Sequence, residues 1–210
     1  PLYVEEKSIM YLMARAAKRA GTPAIRTSSI RDVIAIKEET GLPVIGLVKV
    51  QYPGYEGFIT PTMKEVDDLV AAGSDIVALD CTLRKRGDGS TVNEFIAQIR
   101  EKYPDIILMA DISNYEEGIN AWKCGVDIVG TTMSGYTAYT SSVSDGPDYE
   151  PMKRLSRDIN IPVIGEGRIH YPDQAVKALQ TGAWAIVVGG AITRPLEIAM
   201  RFQNAIKESR

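Results

Sequence analysis

The sequence predicts an α/β fold, a (β/α)8 or TIM barrel lacking its first strand. Three observations predict it. Seven short apolar runs rich in Val and Ile recur along the chain, and they are continuous rather than alternating. That is the pattern of parallel strands buried on both faces. Amphipathic helical segments stand between the runs, and several end at a Gly followed at once by the next run, as a left-handed helix stop would place it. The repeat is longer than the roughly five or six strands of most doubly wound sheets and one short of a closed barrel. A doubly wound sheet stays open as the alternative.

The elements follow in order. The chain opens on Pro1, without the basic and apolar segments of a signal peptide, and reads as a trimmed or mature fragment. A helical pattern covers Glu5 to Ala20 with no strand before it, where a barrel would place its first. The runs are Pro23 to Thr27, Pro43 to Val50, Asp75 to Cys81, Asp105 to Ile112, Asp127 to Met133, Pro162 to Ile169 and Trp184 to Ile192. Between the second and third, Val66, Leu69 and Val70 form one apolar helical stripe, and Thr62 with Glu65 spells a capping box. Gly41, Gly73, Gly125 and Gly182 are the expected helix stops. No linker or charge block divides residues 1–210, so they read as one domain.

Composition narrows the function. Hydrophobic residues make up 45%, enough for a full core. With 24 Lys and Arg against 27 Asp and Glu the net charge is −3, a poor match to nucleic acid or an anionic membrane. No apolar run is long enough to span a bilayer. Two cysteines, Cys81 and Cys124, form no disulfide framework and fit a reducing cytoplasm. The single histidine, His170, excludes any site that needs two imidazoles. No cluster has metal-ligand spacing and no dinucleotide fingerprint follows a first strand, so neither metal nor nucleotide is expected.

Barrel chemistry sits at the C-terminal ends of the strands, and nearly every run carries a polar residue at that end: Arg26, Lys49, Asp80, Asp111, Thr131-Thr132, Glu166 and Gly189-Gly190. Lys49 and Glu166 are the expected acid/base pair, because a lysine in an apolar run is desolvated toward a usable base. Arg26 and Asp111 are expected to position ligand, or to pair with each other or with Lys49. Gly165-Glu166-Gly167-Arg168 and Gly189-Gly190, with Arg194 nearby, fit a phosphate cradle on the last two strands. Asp80 is evenly balanced between structural pairing and a site role. His170 is expected at the surface or in a cap, Arg84-Lys85-Arg86 in a solvated loop, Cys81 as a buried filler, and Trp122 and Trp184 in the core. A Schiff-base aldolase using Lys49 and a phosphorylated-ligand binding protein remain alternatives.

Several stretches carry a resemblance. They are Ala24-Ile25-Arg26, Pro43 through Lys49, Phe58 through Asp67, Met109-Ala110-Asp111-Ile112, Gly130 through Thr137, Gly165 through Ile169 and Val187 through Pro195. In this order they resemble the N-acetylmannosamine-6-phosphate 2-epimerase (N-acylglucosamine-6-phosphate 2-epimerase) family, over essentially the whole chain. The resemblance implies a TIM barrel, and a cofactor-independent inversion at C2 of an N-acetylated hexosamine 6-phosphate in sialic acid and amino sugar catabolism. It implies that Lys49 transfers the proton and Glu166 is its partner carboxylate. Arg26, Asp111 and Arg194 match sugar- and phosphate-binding positions, and Gly167, Gly189 and Gly190 the phosphate cradle. Tyr136 and Arg168, inside two of the stretches, count with the substrate-binding residues. The expected partner is a small sugar phosphate, and the expected assembly a homodimer. The family's first strand ends in a Ser-Cys-Gln-Ala-Leu-like segment, and only the Pro1-Leu2-Tyr3 that follows it stands here. The family also has Gly-Ile-Arg-Ala-Asn-Ser-like and Lys-Arg-Asp/Asn-Tyr-like runs. This chain has Ala24-Ile25-Arg26-Thr27-Ser28-Ser29 and Lys49-Val50-Gln51-Tyr52 in their places.

Overall fold

A computed structural model describes residues 8–141 and 146–209. All seven apolar runs coincide with strands, each shorter than its run, with β1 reaching one residue past its run: β1 (Ile25–Ser28), β2 (Val44–Leu47), β3 (Ile76–Asp80), β4 (Ile107–Asp111), β5 (Ile128–Gly130), β6 (Val163–Gly165) and β7 (Ala185–Ile186). They form one parallel sheet in the order β1-β2-β3-β4-β5-β6-β7. A doubly wound sheet reverses its strand order at a switch point. This order never reverses, so the chain winds one way, as a barrel does. Curling is visible in the side chains. Arg26 on β1 reaches residues on β4 and just past β6, which a flat sheet would hold strands apart. Among the described residues no eighth strand joins β7 back to β1.

Nine helices are present among the described residues: α1 (Met10–Arg19), α2 (Ile30–Thr40), α3 (Met63–Ala71), α4 (Val92–Lys102), α5 (Tyr115–Lys123), α6 (Tyr149–Asp158), α7 (Pro172–Gln180), α8 (Gly190–Thr193) and α9 (Pro195–Glu208). The helical pattern expected from Glu5 starts at Met10, and residues 5–7 lie outside the described residues. The capping box at α3 is formed: Thr62 N–H donates to the Glu65 carboxylate at 2.9 Å. Gly41 closes α2 in the left-handed region at φ 62°, a conformation that costs glycine little.

Strand alternation sorts two apolar layers. Val77, Leu79, Leu108, Ala110 and Val129 point outward and pack with Phe95, Ile96 and Ile99 of α4 and with the other helices. Ile45, Leu47, Ala78, Met109 and Ile164 point inward and fill the sheet's concave side. Each buried aliphatic side chain contributes about 1.5–3 kcal/mol relative to exposure. Gly130 leaves room for Met109, whose Cε would lie 2.4 Å from a Cβ built there. The inner layer thus closes below the strand ends, and the polar residues stand above it.

Two expectations are corrected. Arg86 is not solvated: it is 1% exposed, because the segment after β3 folds inward under α4. Trp184 is not in the core: it is 71% exposed, because it precedes β7, an edge strand that pairs only with β6. Trp122 does pack against the outer layer, and Cys81 is a fully buried filler.

Candidate active site

Side chains from within β1, from the end of β4 and from just past β6 bring their charges together on the concave side. Arg26 (β1) donates through Nη2 to Asp111 Oδ2 (β4) at 2.7 Å. Its Nε lies 3.2 Å from Glu166 Oε1, one residue past β6, and its Nη1 lies 3.3 Å from Met109 Sδ. Asp111 has no exposed surface. Arg26 therefore pairs with Asp111, and it also reaches Glu166. Burial opposes the charge on Arg26, yet Asp111 and Glu166 outweigh it and hold its pKa above the ordinary value. One cation between two buried carboxylates satisfies both.

Thr132, given no role in the sequence beyond its polar strand end, bridges the two carboxylates. Its Oγ1 lies 2.6 Å from Asp111 Oδ1 and 3.1 Å from Glu166 Oε2. A hydroxyl has one hydrogen to donate. The shorter contact assigns it to Asp111, and the contact with Glu166 is best filled when Glu166 itself carries a proton. The surroundings favour that state. Burial, partly opposed by Arg26 and reinforced by Asp111, pushes Glu166 up to about 7.

Lys49 lies two residues past β2 and is exposed on the open side of the sheet. An antiparallel bridge to Ile59 holds its backbone. Partial burial of its ammonium and the like charge of Arg26 lower its pKa, while Asp111 and Glu166 pull the other way. The structure thus brings Lys49, Glu166, Arg26 and Asp111 within electrostatic reach of one another. Two groups with opposite ordinary charge states are both drawn toward neutrality, the arrangement that proton transfer needs.

The remaining candidates lie around this group. Gly167 follows Glu166 at φ 104°, and a Cβ there would stand 3.4 Å from the Thr131 carbonyl. The Arg168 guanidinium stands against Gly135, 6.0 Å from the Tyr136 ring centroid. Gly189 and Gly190 sit between β7 and α9, with open space where a Gly189 side chain would be. Arg194 packs beside Gly190 and pairs with Glu197 at 2.8 Å, largely exposed. Asp80 is paired, held by Arg84 at 2.8 Å and by the Thr82 hydroxyl at 2.6 Å. His170 is partly buried, its Nδ1 3.4 Å from Arg201.

The Glu166 environment makes a stability prediction. The native carboxyl keeps its proton up to about pH 7, whereas the unfolded chain releases it near 4.5. Between those values the native state binds more protons, so stability falls as pH rises. Relative to Glu166→Gln, which cannot ionise, the wild type is expected to lose on the order of 2–3 kcal/mol between about pH 5 and pH 8. Denaturant melts at the two pH values check this, and parallel curves for both proteins refute it.

Residues 10–208 match the family model described as "Putative N-acetylmannosamine-6-phosphate epimerase". A relative from Caldanaerobacter subterraneus, "Putative N-acetylmannosamine-6-phosphate 2-epimerase", is 55% identical over 202 residues, covering 96% of this chain and 85% of its own. One of the same name from an Enterobacter strain is 46% identical over 200 residues, covering 95% and 85%. The solved N-acetylmannosamine-6-phosphate 2-epimerase from Clostridium perfringens superposes with a TM-score of 0.91 at 47% identity, over 98% of this chain and 87% of that one. A thiamine phosphate pyrophosphorylase from Pyrococcus furiosus, at 20% identity and a TM-score of 0.61, covering 99% and 91%, shares the fold alone. With the family model spanning nearly the full chain, and relatives near half identity over its length, the chain belongs to the N-acetylmannosamine-6-phosphate epimerase family.

Proposed function

We propose that this chain inverts C2 of N-acetylmannosamine 6-phosphate to give N-acetylglucosamine 6-phosphate, as a cofactor-independent isomerase of amino sugar and sialic acid catabolism in the cytoplasm. The observation that carries the reading is the Lys49–Glu166 pair, a lowered ammonium and a raised carboxyl around one Arg26–Asp111 ion pair. In the open-chain aldose the C1 aldehyde acidifies the C2 proton. Neutral Lys49 takes that proton, the C–H electron pair becomes an enolate, and Lys49 becomes an ammonium. Protonated Glu166 delivers a proton to the opposite face of C2 and becomes a carboxylate. Transfer from Lys49 to Glu166 restores both groups, so the net reaction adds and removes nothing. Arg26 and Asp111 bind the polar groups near C1 to C3.

The 6-phosphate is assigned to Gly167, Gly189, Gly190 and Arg194, with Tyr136 and Arg168 beside the sugar. Arg194 is already beside Gly190 and nearly free of packing. Its contribution is uniform binding of substrate and transition state. Arg194→Ala is therefore expected to raise KM about tenfold or more, with kcat within about threefold. A loss confined to kcat would remove Arg194 from the phosphate site.

Proton NMR in D2O tests the reaction. The wild-type chain should convert N-acetylmannosamine 6-phosphate into the glucosamine epimer with deuterium at C2. Cleavage of the sugar, with borohydride trapping of an adduct on Lys49, would instead assign Schiff-base lyase chemistry. Binding without turnover would make the chain a sugar-phosphate binding protein. We also propose a homodimer, supported by the exposed apolar side chains of α9, Leu196, Met200 and Phe202; light scattering of the purified chain gives its mass.

A further inference from the structure

We propose that Arg86 is a positioning residue for Lys49, acting through Thr60. Its burial is unusual for a guanidinium. Among the described residues its partners are two backbone carbonyls and a ring, not a carboxylate: it donates to the Asp80 carbonyl, donates to the Thr60 carbonyl at 2.5 Å, and lies 3.8 Å from the Phe95 ring centroid. Burying a cation with no carboxylate in contact is costly; Asp80, Asp88 and Glu65 act on it only through space, so its direct partners are the two carbonyls and the ring.

What these bonds fix is the segment beside Lys49. The pairing of β2 with β3 ends at Gly46↔Val77. Beyond it, residues 58–60 stand between the Lys49 segment and β3. Ile59 forms the antiparallel bridge with Lys49. Val50 N–H donates to the Phe58 carbonyl at 3.0 Å, and Thr60 N–H to the Val48 carbonyl at 2.7 Å. On the other side Asp80 N–H donates to the Ile59 carbonyl at 2.9 Å. The Thr60 hydroxyl joins both sides, accepting from Val48 N–H at 3.2 Å and donating to the Ala78 carbonyl at 2.7 Å. Thr60 is fully buried and sits at φ 45°, a region β-branched residues avoid. Arg86, bonded to Thr60 on the insert and to Asp80 at the end of β3, rivets that strained residue to the sheet.

Loosening the rivet frees Lys49 to swing outward. The charges that face it are Arg26 from β1, Asp111 from β4, Glu166 past β6 and Arg194 before α9. Moving away from the burial and like charge that lower it, Lys49 returns toward its ordinary value.

The inference rests on the proposed epimerase reaction, and two variants test it on the full chain. Arg86→Lys keeps the charge but cannot hold both carbonyls as a planar fork does. Thr60→Ala keeps the carbonyl but removes the hydroxyl. Each is expected to lower kcat about tenfold or more with KM within about threefold. Each should also move the Lys49-dependent limb of the kcat profile to higher pH. The double variant should be no worse than the worse single one. If Arg86→Lys fails to fold, Thr60→Ala is judged by the same readouts. The Lys49 titration is also read without turnover, from the 13C-dimethyl signal of reductively methylated protein assigned by its loss in Lys49→Arg. An unmoved Lys49 titration and unchanged kcat, whatever the melting temperature, overturn the proposal. A wild type that fails to epimerise while its Lys49 signal still shifts in the variants overturns the reaction and leaves the positioning intact.

Discussion

Lys49→Ala is expected to lower kcat by about 10³-fold or more while KM stays within about tenfold. A single general base accounts for about 10²–10⁴ in rate, and in the proposed mechanism the same nitrogen starts the reaction and resets Glu166, so the loss belongs in the upper part of that range. Binding should survive because phosphate recognition is assigned to Arg194 and the glycines across the sheet. The fold should survive too. Lys49 is exposed and lies beyond the last paired residue of β2, so truncation empties no cavity, and melts should coincide within a few degrees. Lys49→Arg sharpens the test. It retains a cation at the same place, but a guanidinium does not release its proton near neutral pH. If charge alone were needed Lys49→Arg would be active; if proton transfer is needed it should be as inactive as Lys49→Ala. Simultaneous loss of ligand binding and of the folded state in Lys49→Ala would mean the lysine is structural.

Much of this architecture is legible in the residues, for identifiable reasons. A parallel strand buried on both faces leaves a continuous apolar run, so Val44–Leu47 and Ile107–Asp111 stand out without any long-range information. Gly41 and Gly125 mark helix ends because the backbone there takes positive φ. The strand-end rule then locates Lys49, Asp111 and Glu166 at or just past their strand ends, whereas Arg26 lies two residues inside the end of β1. What it does not give is their partners. Arg26 and Glu166 are joined because a curled sheet folds β1 toward β6 across the interior, and local sequence carries no trace of that. Arg86 is the plainest case. Arg84-Lys85-Arg86 reads as solvated, and Arg84 and Arg86 are both held by the end of β3, Arg86 under the ring of Phe95 on α4. Trp184 fails in the opposite sense: an aromatic at a strand start reads as core, but β7 is an edge.

Arg26→Met is expected to be the most damaging substitution to the fold, costing about 3–5 kcal/mol near neutral pH. Removing one partner of a buried ion group leaves the others uncompensated. Here it leaves two carboxylates, both in contact with the Thr132 hydroxyl, and neighbours of like charge cannot both ionise cheaply. Glu166, already pushed up to about 7 with Arg26 in place, must rise further when that cation is lost. The sign follows. A carboxyl whose native pKa lies above its unfolded value contributes stability at low pH and loses it as pH rises through the native value. The deficit of Arg26→Met should therefore be smaller near pH 5, where the native carboxyl is protonated in both proteins, than near pH 8. Arg26→Lys should fall between, since one ammonium can face Asp111 or Glu166 but lacks the fork that spans both. Denaturant melts of the three proteins at the two pH values decide the matter. Equal deficits at both would mean that Arg26 acts by packing against Met109 rather than by charge. A deficit that grows with pH would mean that the ion pair that ties β1 to β4 also sets the protonation of Glu166, so that turnover of Arg26→Met should fall even in conditions where it remains folded.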